Sequence, residues 1–200
     1  MKKRIAALLV ALLCATPCLA ESNAIAIYFL YANNTTGSDV DAFSTATPYT
    51  DLDFSDISVM TDMLVQARGM DTYAIEINEK YDADFDVMVE PAWDDINNGR
   101  SFTFAQPLPD LSAYTDIYLG VPVWWGTLPQ PARSFMDQLN PSGQTVHFYS
   151  SHLGSHFGTL LEQIASLWPN ATLAEDSYTI SASDDIHEQA AEFTAWIERQ

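Results

Sequence analysis

An α/β fold built on a parallel sheet is what this sequence predicts, and three observations carry the prediction. Short apolar runs alternate with amphipathic stretches along most of the chain, the order expected when each strand is followed by a crossover helix. The first run, AIAIYFLY from Ala24 to Tyr31, is apolar throughout, as a strand covered on both faces must be. A later run, Ile117 to Val123, leads without a break into the turn of Pro122, Trp124, Trp125 and Gly126 and then into a segment where Pro131 suits the first turn of a helix. Strand, aromatic turn and helix in that order are the layout of a ligand site at the carboxyl end of a strand.

The elements follow in order. After the first strand, residues 32–56 are polar, contain Pro48 and lack a helical period, so they read as a long loop. Ser55 to Arg68 is a helix, capped by Ser55 or Asp56, with Ile57, Met60, Met63 and Leu64 as its buried stripe and Gly69 as its stop. Thr72 to Ile77 is the second strand. Ala83 to Asn98 is a helix partly broken at Pro91, and Arg100 to Leu111 is a proline-punctuated connector. The Ile117 strand and its helix follow. Thr145 to Ser150 is the fourth strand, Thr159 to Trp168 a helix closed by Pro169, and Tyr178 to Ala182 the fifth strand. Asp184 to Glu198 is the last helix, with Asp184 and Asp185 at its positive end.

Composition narrows the function. Two hundred residues, 48% of them apolar, suffice for one domain with a full core. Met1 to Ala20 reads as a signal peptide: a basic start at Lys2, Lys3 and Arg4, an apolar stretch from Ile5 to Leu13, and Cys18-Leu19-Ala20 as the cleavage site. Residues 21–200 are then the mature domain, exported to a periplasmic or extracellular space. Both cysteines, Cys14 and Cys18, fall in the leader, so the mature chain has no disulfide, thiolate ligand or cysteine nucleophile. Removing the leader leaves five basic residues against 27 acidic ones, a net charge of −22 in place of −19. Such an acidic chain is a poor match for nucleic acid or an anionic membrane, and a good one for a basic partner.

The adjacent indoles of Trp124 and Trp125 cannot both point inward from a regular element, so one is expected to pack and the other to face a cleft. His152 and His156 stand four apart, but no carboxylate or cysteine completes a metal site with them. Asp82, Asp84 and Asp86 lack the glycine and closing glutamate of a calcium loop.

On these residues the chain resembles the flavodoxin-like family, in particular short members with a Pro-(Ile/Val)-Trp-Trp-Gly motif. The resemblance is carried by EKYDADFD (Glu79 to Asp86), by LPDLSAYTDIYLGVPVWWGTLPQPARSF (Leu108 to Phe135), and by HFYSSHLGSHFG (His147 to Gly158). It implies a three-layer sandwich around a five-stranded parallel sheet of order 2-1-3-4-5, with flavin mononucleotide (FMN) bound non-covalently where the strand order reverses. It implies a ring site formed by Pro122, Val123, Trp124, Trp125, Gly126 and Thr127 on one side, and by Ser150, Ser151, His152, Gly154 and Ser155 on the other. Backbone amides near Gly126 and Gly154 would serve the ring. The family's phosphate loop, Ser-x-Thr-Gly-Asn-Thr, is not reproduced. Two registers compete for its place: Asn34, Thr35 and Thr36 directly after the first strand, and Ser58 at the start of the following helix, beside Asp56. A carboxylate there opposes a dianionic phosphate. The resemblance implies electron transfer with a basic redox protein. The alternatives are an FMN-dependent quinone or small-molecule reductase, and a fold that has lost FMN and acts as a binding module.

Overall fold

Ala24–Tyr28 (β1) lies near the middle of a parallel sheet in the computed structural model, which describes residues 23–36 and 55–200. The leader with its two cysteines, and residues 37–54 of the expected long loop, lie outside the described residues. β1 pairs on one side with Asp71–Ala74 (β3) and on the other with Asp116–Pro122 (β5), which in turn pairs with Thr145–His152 (β6). The outermost position is filled in two pieces. Thr172–Leu173 (β7) lies beside the start of β6, and Tyr178–Ser181 (β8) beside its end. In order of sequence this is the 2-1-3-4-5 arrangement, with the fifth strand interrupted. Thr35–Thr36 (β2) and Tyr81–Asp82 (β4) form a separate parallel ladder, where only a loop was expected.

Alternation along the strands sorts side chains into two cores. Ile25, Ile27 and Phe29 of the first run, with Ile117, Leu119 and Val121 of β5, face Phe85–Asn98 (α2), Gln130–Asp137 (α3) and Leu160–Leu167 (α4). Ala24, Ala26 and Tyr118 face Asp56–Arg68 (α1) and Ala190–Arg199 (α5). Burying each large side chain here contributes roughly 1.5–3 kcal/mol. On the second face the sheet must be thin. A Cβ on Gly120 would sit 2.3 Å from the ring of Tyr149, whose hydroxyl meets Thr61 Oγ1 at 2.7 Å.

The helix boundaries have local causes. Ser55 caps α1 by accepting from Ser58 N at 3.2 Å, and Gly69 ends it in the left-handed conformation. α2 runs unbroken through Pro91, against expectation. The proline is exposed, and so is Val87, the residue whose carbonyl loses its helical donor, so water can satisfy that carbonyl. α5 begins six residues later than its periodicity suggests. Asp185 instead organises a tight turn, accepting from His187 N through its side chain and from Glu188 N and Gln189 N through its carbonyl.

Candidate ligand slot at the carboxyl edge of the sheet

The ends of β5 and β6 form one rigid rim. Trp124 and Thr127 exchange both backbone hydrogen bonds, at 2.9 and 3.1 Å. The two residues between them, Trp125 at φ +48° and Gly126 at φ +76°, are both left-handed, as a type I′ turn requires. Glycine adopts that conformation freely, but for tryptophan it costs of order 1 kcal/mol. The surroundings enforce it. Gly126 O accepts from Thr159 N at 2.8 Å and from Thr159 Oγ1 at 3.0 Å, and Thr127 Oγ1 accepts from Gln163 Nε2. Gly158 packs so closely on Gly126 that a Cβ there would lie 2.2 Å from its carbonyl oxygen.

The turn separates the two indoles. Trp124 is 6% exposed and packs edge-on against Phe29, Tyr31 and Tyr81. Trp125 is 46% exposed. The expected division, one packed and one facing out, is therefore what the structure has. Beside the turn opens a slot of about 640 Å³, lined by Val123, Trp124, Trp125 and Gly126 on one wall, Leu153 and Ser155 on another, and Phe85, Asp86, Met88 and Val89 of α2 on the third. That volume lies in the range of small-molecule sites. The α2 wall is absent from the sequence reading, although Phe85, Val89 and Trp93 recur every four residues and so share a helix face. Trp93 meets Trp125 edge-on at 5.4 Å across the mouth. Trp124 Nε1, of a residue that lines the slot, is buried with no hydrogen-bond partner, and so is Ser151 Oγ at the end of β6.

The other predicted residues play different parts. Pro122 pairs with Ser151 in the ladder, and Ser151 O accepts from Val123 N at 2.8 Å, so these two hold the walls together. Ser150 is buried against Thr179 Oγ1 at 2.8 Å and does not reach the slot. The Gly154 amide donates to His152 Nδ1 at 2.9 Å, which engages the donor expected to serve a ring. His152 lines a different cavity of about 200 Å³, with His156, Tyr178, Asp184 and Glu192. Burial first, and the adjacent His156 second, hold His152 below the usual histidine range.

Asn34, Thr35 and Thr36 are scaffold. Asn34 donates to Leu30 O and Ile75 O at 2.7 and 2.9 Å, and accepts from Ile77 N at 2.8 Å. Both its amide hydrogens are committed, so its side chain has no donor left for a phosphate, which corrects that expectation. Thr35 and Thr36 are tied to Ala32 O and Tyr81 O. Ser58 lies in the first turn of α1, its hydroxyl donating to Ser55 O at 2.8 Å. Next to it Asp56 is 1% exposed, with neither carboxylate oxygen hydrogen-bonded. Burial first, then Asp185 and Asp184, push its pKa from 3.8 up to about 7. Among the described residues no group of three or more His, Cys, Asp or Glu side chains could hold a metal, and no helix is long and apolar enough to cross a membrane.

A family model described as flavodoxin matches residues 54–199. Solved structures of similar shape include a candidate flavoprotein from Bacteroides uniformis, at 16% identity and TM-score 0.65, covering 90% of this chain and 99% of that one. Another, from Bacteroides eggerthii, has 16% identity and TM-score 0.60 over 89% and 97%. A flavoprotein from Lactobacillus acidophilus NCFM, solved in complex with FMN, has 13% identity and TM-score 0.54 over 88% and 99%. At these identities the likeness is one of fold. No curated protein matches the sequence.

Proposed function

The chain belongs to the flavodoxin family, and we propose that it is an exported flavoprotein that binds FMN non-covalently and carries electrons. The observation that carries this reading is the slot between α2 and the clamped ends of β5 and β6. It combines an exposed indole at the rim, an apolar body from Phe85, Met88, Val89 and Val123, and a buried indole N–H without an acceptor. A flat aromatic ring with polar atoms at its edge matches all three. The slot lies at the carboxyl edge of the sheet, where ligands of such folds bind near the reversal of strand order. The similar protein from Lactobacillus acidophilus was solved with FMN, which supports the same class of ligand here.

The bound flavin would accept and release electrons, while the protein supplies stacking, orientation and electrostatics. With 27 acidic residues against five basic ones once the leader is removed, the surroundings disfavour added negative charge on the ring, so its reduction potential is expected below that of free flavin. The same charge favours a basic redox partner, with association that weakens as salt rises. The signal-peptide pattern at Met1 to Ala20 supports export.

The test is direct. Adding flavin to the purified protein should quench tryptophan fluorescence saturably, because Trp124 and Trp125 both line the slot. Absence of quenching by FMN and by riboflavin, at acid and at neutral pH, would remove the reading. The buried charge of Asp56 favours the second reading, a flavodoxin fold acting as a binding module without cofactor, and that result would support it.

A further inference from the structure

The loop after β6 is a partition between two cavities. Leu153 and Ser155 line the slot. His152 and His156, which flank them in the chain, line the cavity of about 200 Å³. Gly154 turns the backbone between the two sets at φ +101°, a conformation that suits glycine. At the near end of the loop His152 O accepts from Ala182 N at 2.8 Å, and at the far end Ser155 O accepts from Gly158 N at 3.0 Å. Between these anchors, among the described residues, one hydrogen bond fastens the Leu153-Gly154 stretch: Gly154 N donates to His152 Nδ1 at 2.9 Å.

That bond fixes the state of the imidazole. An amide N–H only donates, so Nδ1 holds a lone pair and the ring proton sits on Nε2. An imidazolium carries a proton on both nitrogens and accepts nothing, so protonating His152 breaks the clamp. The ring is 3% exposed and lies 4.7 Å from that of His156. Burial first, and His156 of the same loop second, hold His152 below the usual histidine range, while Asp184 from the turn after β8 opposes them. Tyr178 of β8 and Glu192 of α5 also line the cavity. Tyr178 stays neutral, its pKa pushed up to about 12 by burial first, then by Glu192, Asp184 and Asp56 of α1. His152 therefore keeps its neutral ring at neutral pH and takes up a proton only in acid.

Resting on the flavin reading, we propose that His152 is a positioning residue for the slot: neutral, it clamps the Leu153–Ser155 wall through the Gly154 amide, and protonated, it releases that wall, so that the chain holds its flavin less tightly in acid. His152 does this from the neighbouring cavity, without touching the ring. The loss of one such hydrogen bond is worth about threefold to tenfold in affinity.

The experiment is to titrate the purified protein with riboflavin, following tryptophan fluorescence, at about pH 8 and about pH 5, between which ordinary carboxylates stay ionised. Riboflavin is the probe because it lacks the phosphate, whose own titration at about pH 6 would be superimposed. On going to the lower pH, the wild type should lose about threefold to tenfold more affinity than His152→Asn does. The asparagine offers an amide oxygen close to the position of Nδ1, accepts from Gly154 N at either pH, and should match the wild type within about threefold at about pH 8. His152→Ala has no acceptor and should bind about threefold to tenfold more weakly than the wild type at about pH 8. Asp56 and His156 are present in all three proteins and cancel in the comparison. Proton NMR of the histidine rings reads the same coupling in the wild type alone. By reciprocity, saturating riboflavin should lower the proton affinity of His152 by about threefold to tenfold. Parallel pH profiles for the wild type and His152→Asn, an alanine variant that binds as tightly as the wild type at about pH 8, or a His152 titration that riboflavin leaves in place overturns the proposal while the flavin reading stands. Failure of riboflavin to quench the wild type at either pH is a distinguishable result: it overturns the flavin reading itself.

Discussion

Replacing Asp56 with asparagine removes one buried charge and leaves the size of the side chain unchanged, and its effect on stability has a sign that depends on pH. Burial, then Asp185 and Asp184, raise the carboxyl pKa from 3.8 to about 7 in the folded protein. Between those values the folded state holds a proton that the unfolded chain has released. The folded state then binds more protons than the unfolded one, so stability falls as pH rises through this window. Asp56 imposes no such penalty below the unfolded pKa, and the full penalty above the folded one. At about 1.4 kcal/mol per tenfold, the whole interval is worth roughly 4 kcal/mol. The positive end of α1 offsets a little of it, about 0.5 kcal/mol. The asparagine amide, placed among the same unpaired surroundings, forfeits a further 1–3 kcal/mol, roughly. The variant should therefore be more stable than the wild type by about 2 kcal/mol at pH 8, and equal or less stable near pH 4. Urea unfolding of both proteins across this range measures the difference. His152, held low, contributes the opposite slope, but it does so in both proteins and cancels in the comparison. Parallel pH profiles, or a variant less stable than the wild type at high pH, would refute the claim that Asp56 is a buried, unpaired carboxyl.

Asn34→Ala removes three hydrogen bonds of 2.7 to 2.9 Å and strands the buried Ile77 N–H; a loss of about 2–4 kcal/mol in urea is expected, and a loss under about 1 kcal/mol would show that the side chain is free for a ligand. Gly158→Ala puts a Cβ 2.2 Å from the Gly126 carbonyl at φ +51°. Left-handed strain and overpacking together should cost about 2–5 kcal/mol, seen as a lowered Tm, and an unchanged Tm would mean the two loops part easily. Trp125→Ala should weaken flavin binding by about tenfold while changing stability by less than about 1 kcal/mol, because the indole is exposed; equal flavin affinity in the variant would show that the ring lies elsewhere.

Where apolar pattern alone determines structure, the sequence was readable. β1 and β5 are apolar at nearly every position because both their faces are covered, and α1 starts and stops at residues whose side chain or backbone freedom does the capping. The division of labour between Trp124 and Trp125 followed from adjacency alone. Long-range pairing was not readable. The β2–β4 ladder joins residues 46 positions apart through only two residues on each side, and no local pattern announces it. Asn34 resembles a turn or ligand residue in sequence because its polarity is visible while its partners, Leu30, Ile75 and Ile77, are not. The α2 wall was hidden for a related reason: Phe85 and Val89 look like ordinary core positions until the β5 turn is seen opposite them. Pro91 misled because a proline breaks a helix only where the orphaned carbonyl is denied water.

The three walls of the slot differ in how they are fastened, and this difference bears on how a ring could enter. The β5 and β6 ends are joined to each other by the Val123–Ser151 bond, by two donors from Thr159 to Gly126 O, and by the close contact of Gly158 with Gly126. They should move as one body, since parting them breaks several bonds. α2 meets this body at the mouth of the slot through the edge contact of Trp93 with Trp125, between two side chains that are each nearly half exposed. Such a contact between exposed rings is worth about 0.5–1.5 kcal/mol, less than the several hydrogen bonds that hold the opposite walls. A ring entering the slot would therefore displace Trp93 or swing Trp125 about its side-chain torsions and leave the backbone of the turn in place. The left-handed backbone at Trp125 fits that role, because it projects the indole outward from a fixed point.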